Sequence, residues 1–471
     1  MNTAYEMVIG LEVHVELKTK TKIFCACPTA FGAEPNTHVC PICLGYPGTL
    51  PKLNGEVVRY AIKAGLAANC KIANYSKQDR KNYFYPDLPK AYQISQYDLP
   101  LCSDGFLEIE THSGSKKIRI TRIHIEEDAG KLVHTDKGTL FDANRCGVPL
   151  IEIVSEPDIR SAEEAVAYVK KLRALMLYAG VSDCKMNEGS LRCDVNLSVR
   201  KRGEETLGTR TEMKNINSFA FIAKAIEYEF DRQVEELEAG NKIIQETRRF
   251  DAASGKTFSM RSKEDADDYR YFPDPDLAPI ITSEARIREL ADEIPMLPDA
   301  RKQKYMSEYA LTAYDAEQIC ASPDTAAYFE HAAGASRYPK TVANMMISEA
   351  LRYGGEDGEI PLAPQALAKI ADMAGDGTIN SGTAKKLIAE CATGACDPEV
   401  IVKERGLAQI SDPETLTRLL KEALENNPKA VADFRAGKTA AAKSIIGAVM
   451  AKSGGKANPA LCSQLLDTLL K

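Results

Sequence analysis

Residues 11–17 read Leu-Glu-Val-His-Val-Glu-Leu, a strict apolar–polar alternation. It predicts a strand with Glu12, His14 and Glu16 on one face and Leu11, Val13, Val15 and Leu17 on the other. The same period of two runs through Val8–Leu17, Lys117–Glu127, Leu150–Glu156 and Leu191–Val199. Two stretches change to helical spacing. Ala162–Tyr178 repeats Val166, Val169, Leu172, Leu175 and Met176, and Phe219–Leu237 repeats Phe221, Ile222, Ala225, Ile226 and Phe230. Strands mixed with a few helices predict an α+β domain on an antiparallel or mixed sheet.

Pro273, Pro275 and Pro279 follow one another too closely for a helix or central strand to continue. The first domain is therefore expected to span residues 1–292. Beyond it the pattern is helical and alanine-rich, with breaks at Pro323, Gly354–Gly355, Gly375–Gly377 and Asp397–Pro398. A helical domain over 293–408 and a helical tail over 409–471 are predicted. Ser411-Asp-Pro-Glu414 reads as a capping box opening the tail, with later helices ending near Glu425, over Pro428–Ala436, over Thr439–Lys452 and over Pro459–Leu470.

Composition narrows this picture. The chain has 471 residues, an ordinary apolar content of 44% and a net charge of −7. No apolar run is long enough for a membrane span, and the opening MNTAYEMVIGLEV lacks the basic and apolar regions of an export signal. Thirteen cysteines, an odd count, then predict free thiols plus a metal site in a reducing, cytoplasmic setting. Net acidity argues against nucleic-acid binding, except that charge is local. Between 428 and 458, six basic residues (Lys429, Arg435, Lys438, Lys443, Lys452 and Lys456) face the single acid Asp433, a net of +5 suited to a phosphate backbone.

One strand with a polar face is most simply solvated. Four of them, carrying Glu12, His14, Glu16, the run His124-Ile-Glu-Glu-Asp128, Glu152, Arg192 and Asp194, would gather carboxylates around imidazoles if they were neighbours. Such like charges need protons or a cation, and oxygen donors favour Mg²⁺ or Mn²⁺. Phosphate-binding loops are absent: Gly255-Lys-Thr257 and Gly437-Lys-Thr439 lack the earlier glycine, having Phe250 and Ala432 there. Cys25-x-Cys27, twelve residues, then Cys40-x-x-Cys43 has the spacing of a closed four-thiolate zinc site. The remaining cysteines, including Cys146, Cys184 and Cys193, read as structural. In Ser76–Pro86, Lys77, Arg80 and Lys81 interleave with Tyr83, Phe84 and Tyr85, cations and rings that suit a single-stranded RNA end as well as they suit a solvated run beside a core patch.

Long strings carry a resemblance. Ile9–Leu17, Asp79-Arg-Lys-Asn-Tyr-Phe-Tyr-Pro-Asp87, Lys90–Gln96, Glu126-Glu-Asp-Ala-Gly-Lys131, Pro149–Asp158, Gly189–Asp194, Lys214–Ser218, Asp267-Asp-Tyr-Arg-Tyr-Phe-Pro273 and Gly454–Pro459 resemble the B subunits of the aspartyl/glutamyl-tRNA amidotransferases. The resemblance implies a glutamine-synthetase-like cradle domain followed by all-α helical and tail domains. It implies a bacterial-type heterotrimer with an amidase-type glutaminase A subunit and a small C subunit. ATP would phosphorylate the side-chain carboxylate of Glu-tRNA(Gln) or Asp-tRNA(Asn), and ammonia channelled from the A subunit would displace the phosphate. By motif, Glu12, His14, Glu127 and Glu152, with Asp194, would hold Mg²⁺. Arg192 and Lys214 would touch ATP. Cys25, Cys27, Cys40 and Cys43 would hold Zn²⁺. Lys77, Arg80, Lys81, Tyr83 and Tyr85, with Lys438, Lys443, Lys452 and Lys456, would meet tRNA.

Two other classes compete. A noncatalytic, zinc-braced tRNA-binding scaffold needs no chemistry on the strands, and a stand-alone Mg²⁺-dependent amide ligase would act on free glutamate without using the basic tail.

Overall fold

A computed structural model describes residues 4–262, 269–354, 359–394, 396–435 and 441–470. Packing divides the chain into two compact units, Met1–Leu297 and Pro298–Lys471.

The first unit is built on a nine-stranded mixed sheet. Across it run Lys256–Ser262, Glu246–Asp251, Thr211–Lys214, Leu191–Lys201, Tyr5–Glu16, Pro149–Ser155, Gly114–Glu127, Cys102–Thr111 and Lys71–Ile72. Every pairing is antiparallel except Thr211–Lys214 with Glu246–Asp251. The four alternating segments of the sequence form adjacent strands, because each has one apolar face to bury. Leu11, Val13 and Val15 join Ile123, Ile125, Ile151, Ile153, Val195 and Leu197 in one core.

Helices Gly55–Ala67, Ala162–Tyr178 and Phe219–Glu238 contribute to that core. Ser161 caps the second, its Oγ accepting from Glu164 N at 3.1 Å, and Glu163 and Glu164 favour the positive helix end. Tyr168, Val169, Leu172 and Met176 are fully buried, each such side chain contributing about 1.5–3 kcal/mol. A smaller sheet of Phe272–Pro273, Asp79–Asn82 and Tyr92–Ser95 completes the unit's acid-bearing end.

The second unit is helical and contains two hydrophobic clusters. Phe329, Val342, Met346, Leu367, Ile370, Leu387 and Ile388 belong to one. Leu416, Leu420, Ile445, Val449, Cys462 and Leu466 belong to the other. Its helix Pro413–Asn426 corrects the expected cap. Pro413 takes the first helical position, where its missing N–H costs nothing, so Asp412 caps, accepting from Thr415 N at 2.8 Å. Ser411 Oγ instead accepts from Asn458 Nδ2 at 3.2 Å. Cys391 and Cys396 form a disulfide, where free thiols beside a metal site were expected. Cys146, Cys184 and Cys193 are buried. No helix of the described residues is long and apolar enough to cross a membrane.

Candidate functional site

Register decides which polar residues meet. His14 lies opposite Glu152 and Arg192, Glu152 lies opposite His124, and Glu12 lies opposite Asp194. Since facing residues share a face, one polar surface runs across four strands. His14 Nε2 is 3.7 Å from Glu152 Oε2 and 3.8 Å from Glu126 Oε2. One ligand atom from each of His14, Glu126 and Glu152 lies within 4.8 Å of the others.

His124 stands behind this trio, its Nε2 3.3 Å from both Glu126 and Glu152. Burial disfavours an imidazolium there, but the carboxylates of Glu152 and Glu126 outweigh it and raise its pKa to about 9. Burial also works against the Glu126 anion, yet His124, Lys81 and His14 hold it well below the usual carboxylate range. Ser95 Oγ donates to Glu126 at 2.8 Å and Gln93 Nε2 at 3.3 Å. Together these groups make an ionised, oriented donor set. Two carboxylates and an imidazole with gaps of this size suit a small hard cation such as Mg²⁺ or Mn²⁺.

Glu127 does not join them. Alternation carries it to the opposite face from Glu126, where Lys90 Nζ and the N–H of Ile94 donate to it, the latter at 2.9 Å. Glu126 takes the place that the motif assigned to Glu127. Counting by twos from His124 would have found it.

Glu12 anchors a neighbouring group. Asn196 Nδ2 donates to it at 2.9 Å. Burial first, then Glu152, Glu212 and Asp194, push its carboxyl pKa up against the pull of Lys214. Lys214 Nζ bridges Asp194 at 2.7 Å and Glu212 at 3.1 Å. Arg192 pairs with Asp128 at 2.7 Å. Burial and Asp128 push nearby Glu16 to about 8, against Arg192 and Arg145.

The four cysteines converge as their spacing predicts: Cys25, Cys27, Cys40 and Cys43 offer sulfurs within 4.8 Å of one another. A zinc–sulfur bond of about 2.3 Å sets tetrahedral sulfurs roughly 3.8 Å apart, and Cys40 and Cys43 Sγ are 4.0 Å apart. A hydrogen bond from Cys25 leads the effects that lower Cys43 to about 4, against burial, with Cys40 N–H and Lys22 assisting. Lys22, 0% exposed, points Nζ at Cys43 Sγ (3.5 Å) and at the Ala143 carbonyl (3.2 Å). A zinc ion held by these four thiolates would place negative charge beside the buried Lys22 side chain.

The basic and aromatic segment is less open than its sequence suggests. Lys77 is held by Asp79 and Asp98, and Arg80 by Asp274 at 2.7 Å and Asp276 at 3.0 Å. These partners commit both cations. Lys81 turns to the acidic face, and Tyr83 is half-buried beside it, while Phe84 and Tyr85 are exposed. In the tail, Lys443 is exposed, Lys452 pairs with Glu422 and Lys456 is half-buried, whereas Lys438 lies outside the described residues.

Two family models match the chain. Residues 7–288 match the GatB/GatE catalytic domain, and residues 327–470 match the GatB domain. The chain is 55% identical over 471 residues, 98% of each chain, to the B subunit of the aspartyl/glutamyl-tRNA(Asn/Gln) amidotransferase of Caldicellulosiruptor saccharolyticus. It is 54% identical to that of Carboxydothermus hydrogenoformans over 99% of each chain, and 51% identical to that of Geotalea uraniireducens over 98% of each. With more than half of its positions shared along nearly its whole length, and with the catalytic-domain match falling on the strands that gather the acidic side chains, the chain belongs to the family of aspartyl/glutamyl-tRNA(Asn/Gln) amidotransferase B subunits.

Proposed function

We propose that this chain is the subunit that activates the amino acid on misacylated tRNA. ATP phosphorylates the side-chain carboxylate of Glu-tRNA(Gln), Asp-tRNA(Asn) or both, and ammonia released from glutamine by an amidase-type A subunit displaces the phosphate. A small C subunit completes a cytoplasmic heterotrimer, and the overall reaction is that of an ATP-dependent carbon–nitrogen ligase. The convergence of His14, Glu126 and Glu152 on one face of the central sheet carries this reading.

A bound Mg²⁺ there would offset the negative charge of nucleotide and carboxylate. The chain's own residues shape the rest of this centre. His124 keeps Glu126 and Glu152 ionised and oriented. Glu12, held by Asn196, and the pair Asp194 and Glu212, bridged by Lys214, extend the polar surface on which ATP would lie, and Arg192 borders it. The zinc loop at Cys25–Cys43 braces one wall and offers no open position for catalysis. Exposed Phe84 and Tyr85, which follow Lys81 and Tyr83 in the chain, offer rings for a tRNA 3′ end, and the tail from residue 409, with its own core and exposed Lys443, offers a phosphate-backbone contact.

The test is Glu152→Gln in the complex that the chain forms with its partners. Phosphate release dependent on both ATP and Glu-tRNA is lost, while glutamine hydrolysis in the amidase partner and tRNA binding persist. Transamidation at the unaltered rate would favour a noncatalytic tRNA scaffold instead.

A further inference from the structure

The cations around the acidic face are almost all committed. Lys77 and Arg80 pair with aspartates, and Lys90 with Glu127. Arg192 pairs with Asp128, and Lys214 with Asp194 and Glu212. Among the described residues, Lys81 differs from these. It follows Arg80 on the strand Asp79–Asn82, so alternation sends the two side chains opposite ways, Arg80 to its aspartates and Lys81 to the acidic centre.

The Lys81 ammonium stands 5.1 Å from the Tyr269 ring centroid and 5.8 Å from that of Tyr83. Among the described residues it has no carboxylate partner within ion-pair distance and no hydrogen-bond acceptor. Burial opposes its charge, but Glu126, Tyr271, Glu152 and Tyr83 outweigh that and keep it protonated. The rings stabilise a cation through their faces without satisfying its three N–H donors. A half-buried ammonium with no acceptor from the described side chains, beside carboxylates that a divalent cation would neutralise, is placed to receive an oxyanion.

We propose that Lys81 is the oxyanion-binding group of this centre, held in place by Tyr83 and Tyr269, and that it receives an oxygen of the group being activated. This rests on the proposed ATP-dependent activation. The oxyanion has two sources there: the side-chain carboxylate of the esterified amino acid and the terminal phosphate of the nucleotide. Lys81 is thereby removed from the set of tRNA-backbone contacts and placed at the reacting end of the substrate.

Steady-state kinetics of the assembled complex test it, with Glu-tRNA and ATP varied separately. Lys81→Met keeps the length and apolar stem but loses the charge, and Lys81→Arg keeps the charge. Charge-assisted hydrogen bonds of this kind make Lys81→Met raise one KM by about 10- to 100-fold, with Lys81→Arg recovering part of the loss. A rise confined to Glu-tRNA identifies the carboxylate, and a rise confined to ATP identifies the phosphate. Binding of deacylated tRNA and the thermal midpoint stay at wild-type values. Unaltered KM values for both substrates, or equal loss in Lys81→Met and in deacylated tRNA binding, overturn the proposal. Glu152→Gln run in parallel separates the two levels: if it too remains fully active, the activation reading itself has failed, and if it is dead while Lys81→Met is normal, only the role of Lys81 has failed.

Discussion

Glu126 and Glu127 are neighbours in sequence with opposite surroundings, and exchanging each for glutamine separates a cation ligand from a structural ion pair. Glu126 faces His14 and Glu152, whereas Glu127 meets Lys90 and the Ile94 amide. At an effective dielectric of about 20, unit charges 4 Å apart interact by roughly 4 kcal/mol, and a divalent cation doubles this to about 8. The amide of Glu126→Gln would keep an oxygen donor, so we take half of that figure, about 4 kcal/mol, which is close to a thousandfold at 1.36 kcal/mol per decade. Glu126→Gln should therefore weaken Mn²⁺ binding by about three decades. Glu127→Gln should leave Mn²⁺ affinity within about threefold while stranding the Lys90 ammonium, at about 1–3 kcal/mol of stability. Titration with Mn²⁺ by electron paramagnetic resonance, paired with thermal melts, reads both quantities. If Glu127→Gln loses Mn²⁺ while Glu126→Gln retains it, the assignment of the two faces is wrong.

Other outcomes follow from the packing and charges described above. Lys22→Met removes the buried N–H donor to Cys43, so zinc should be released to a chelator with roughly 10- to 100-fold weaker retention, measured by a colorimetric indicator; wild-type retention would separate Lys22 from the metal. Deleting residues 411–471 should weaken tRNA binding and flatten its dependence on salt by about 0.9 for each phosphate no longer neutralised, and an unaltered slope would assign the tail to protein contacts. Leu172→Ala opens a cavity in the core of the first unit and should cost about 2–5 kcal/mol in denaturant unfolding. Asp412→Ala removes a helix cap and should destabilise the tail by about 1 kcal/mol, a change that Ser411→Ala should not reproduce.

What could be read in advance was whatever depends on local spacing. The alternation around His14 survives into the sheet because its apolar partners at Leu11, Val13 and Val15 must be buried, and the two long helices declare themselves by their own periods. The four cysteines lie within nineteen positions of one another, so a tight loop suffices to bring them together. Glu126 was legible too, through parity with His124, but the motif drew attention to its neighbour. What stayed hidden depends on distant chain. Arg80 looks free for phosphate until Asp274 and Asp276 arrive from nearly two hundred residues away, and nothing near Lys81 announces Tyr269. Ser411 looked like the cap because the spacing to Glu414 fitted, yet Pro413 moved the helix start by one residue.

The strand Tyr5–Glu16 sits in the middle of the large sheet, and both its neighbours come much later in the chain: Pro149–Ser155 on one side and Leu191–Lys201 on the other. Ribosomes add about 5–20 residues each second, so this segment emerges and then waits on the order of 10–40 s before Tyr5 can meet Lys201. During that interval its backbone donors and its row of Leu11, Val13 and Val15 stand open to any passing chain. Nascent protein of this kind is exposed to mispairing while it is still being made, and slower translation past residue 155 would lengthen the hazard. A holdase that covers the first twenty residues would raise the yield of native product more than one acting on the helical second unit, whose contacts close over short stretches of sequence.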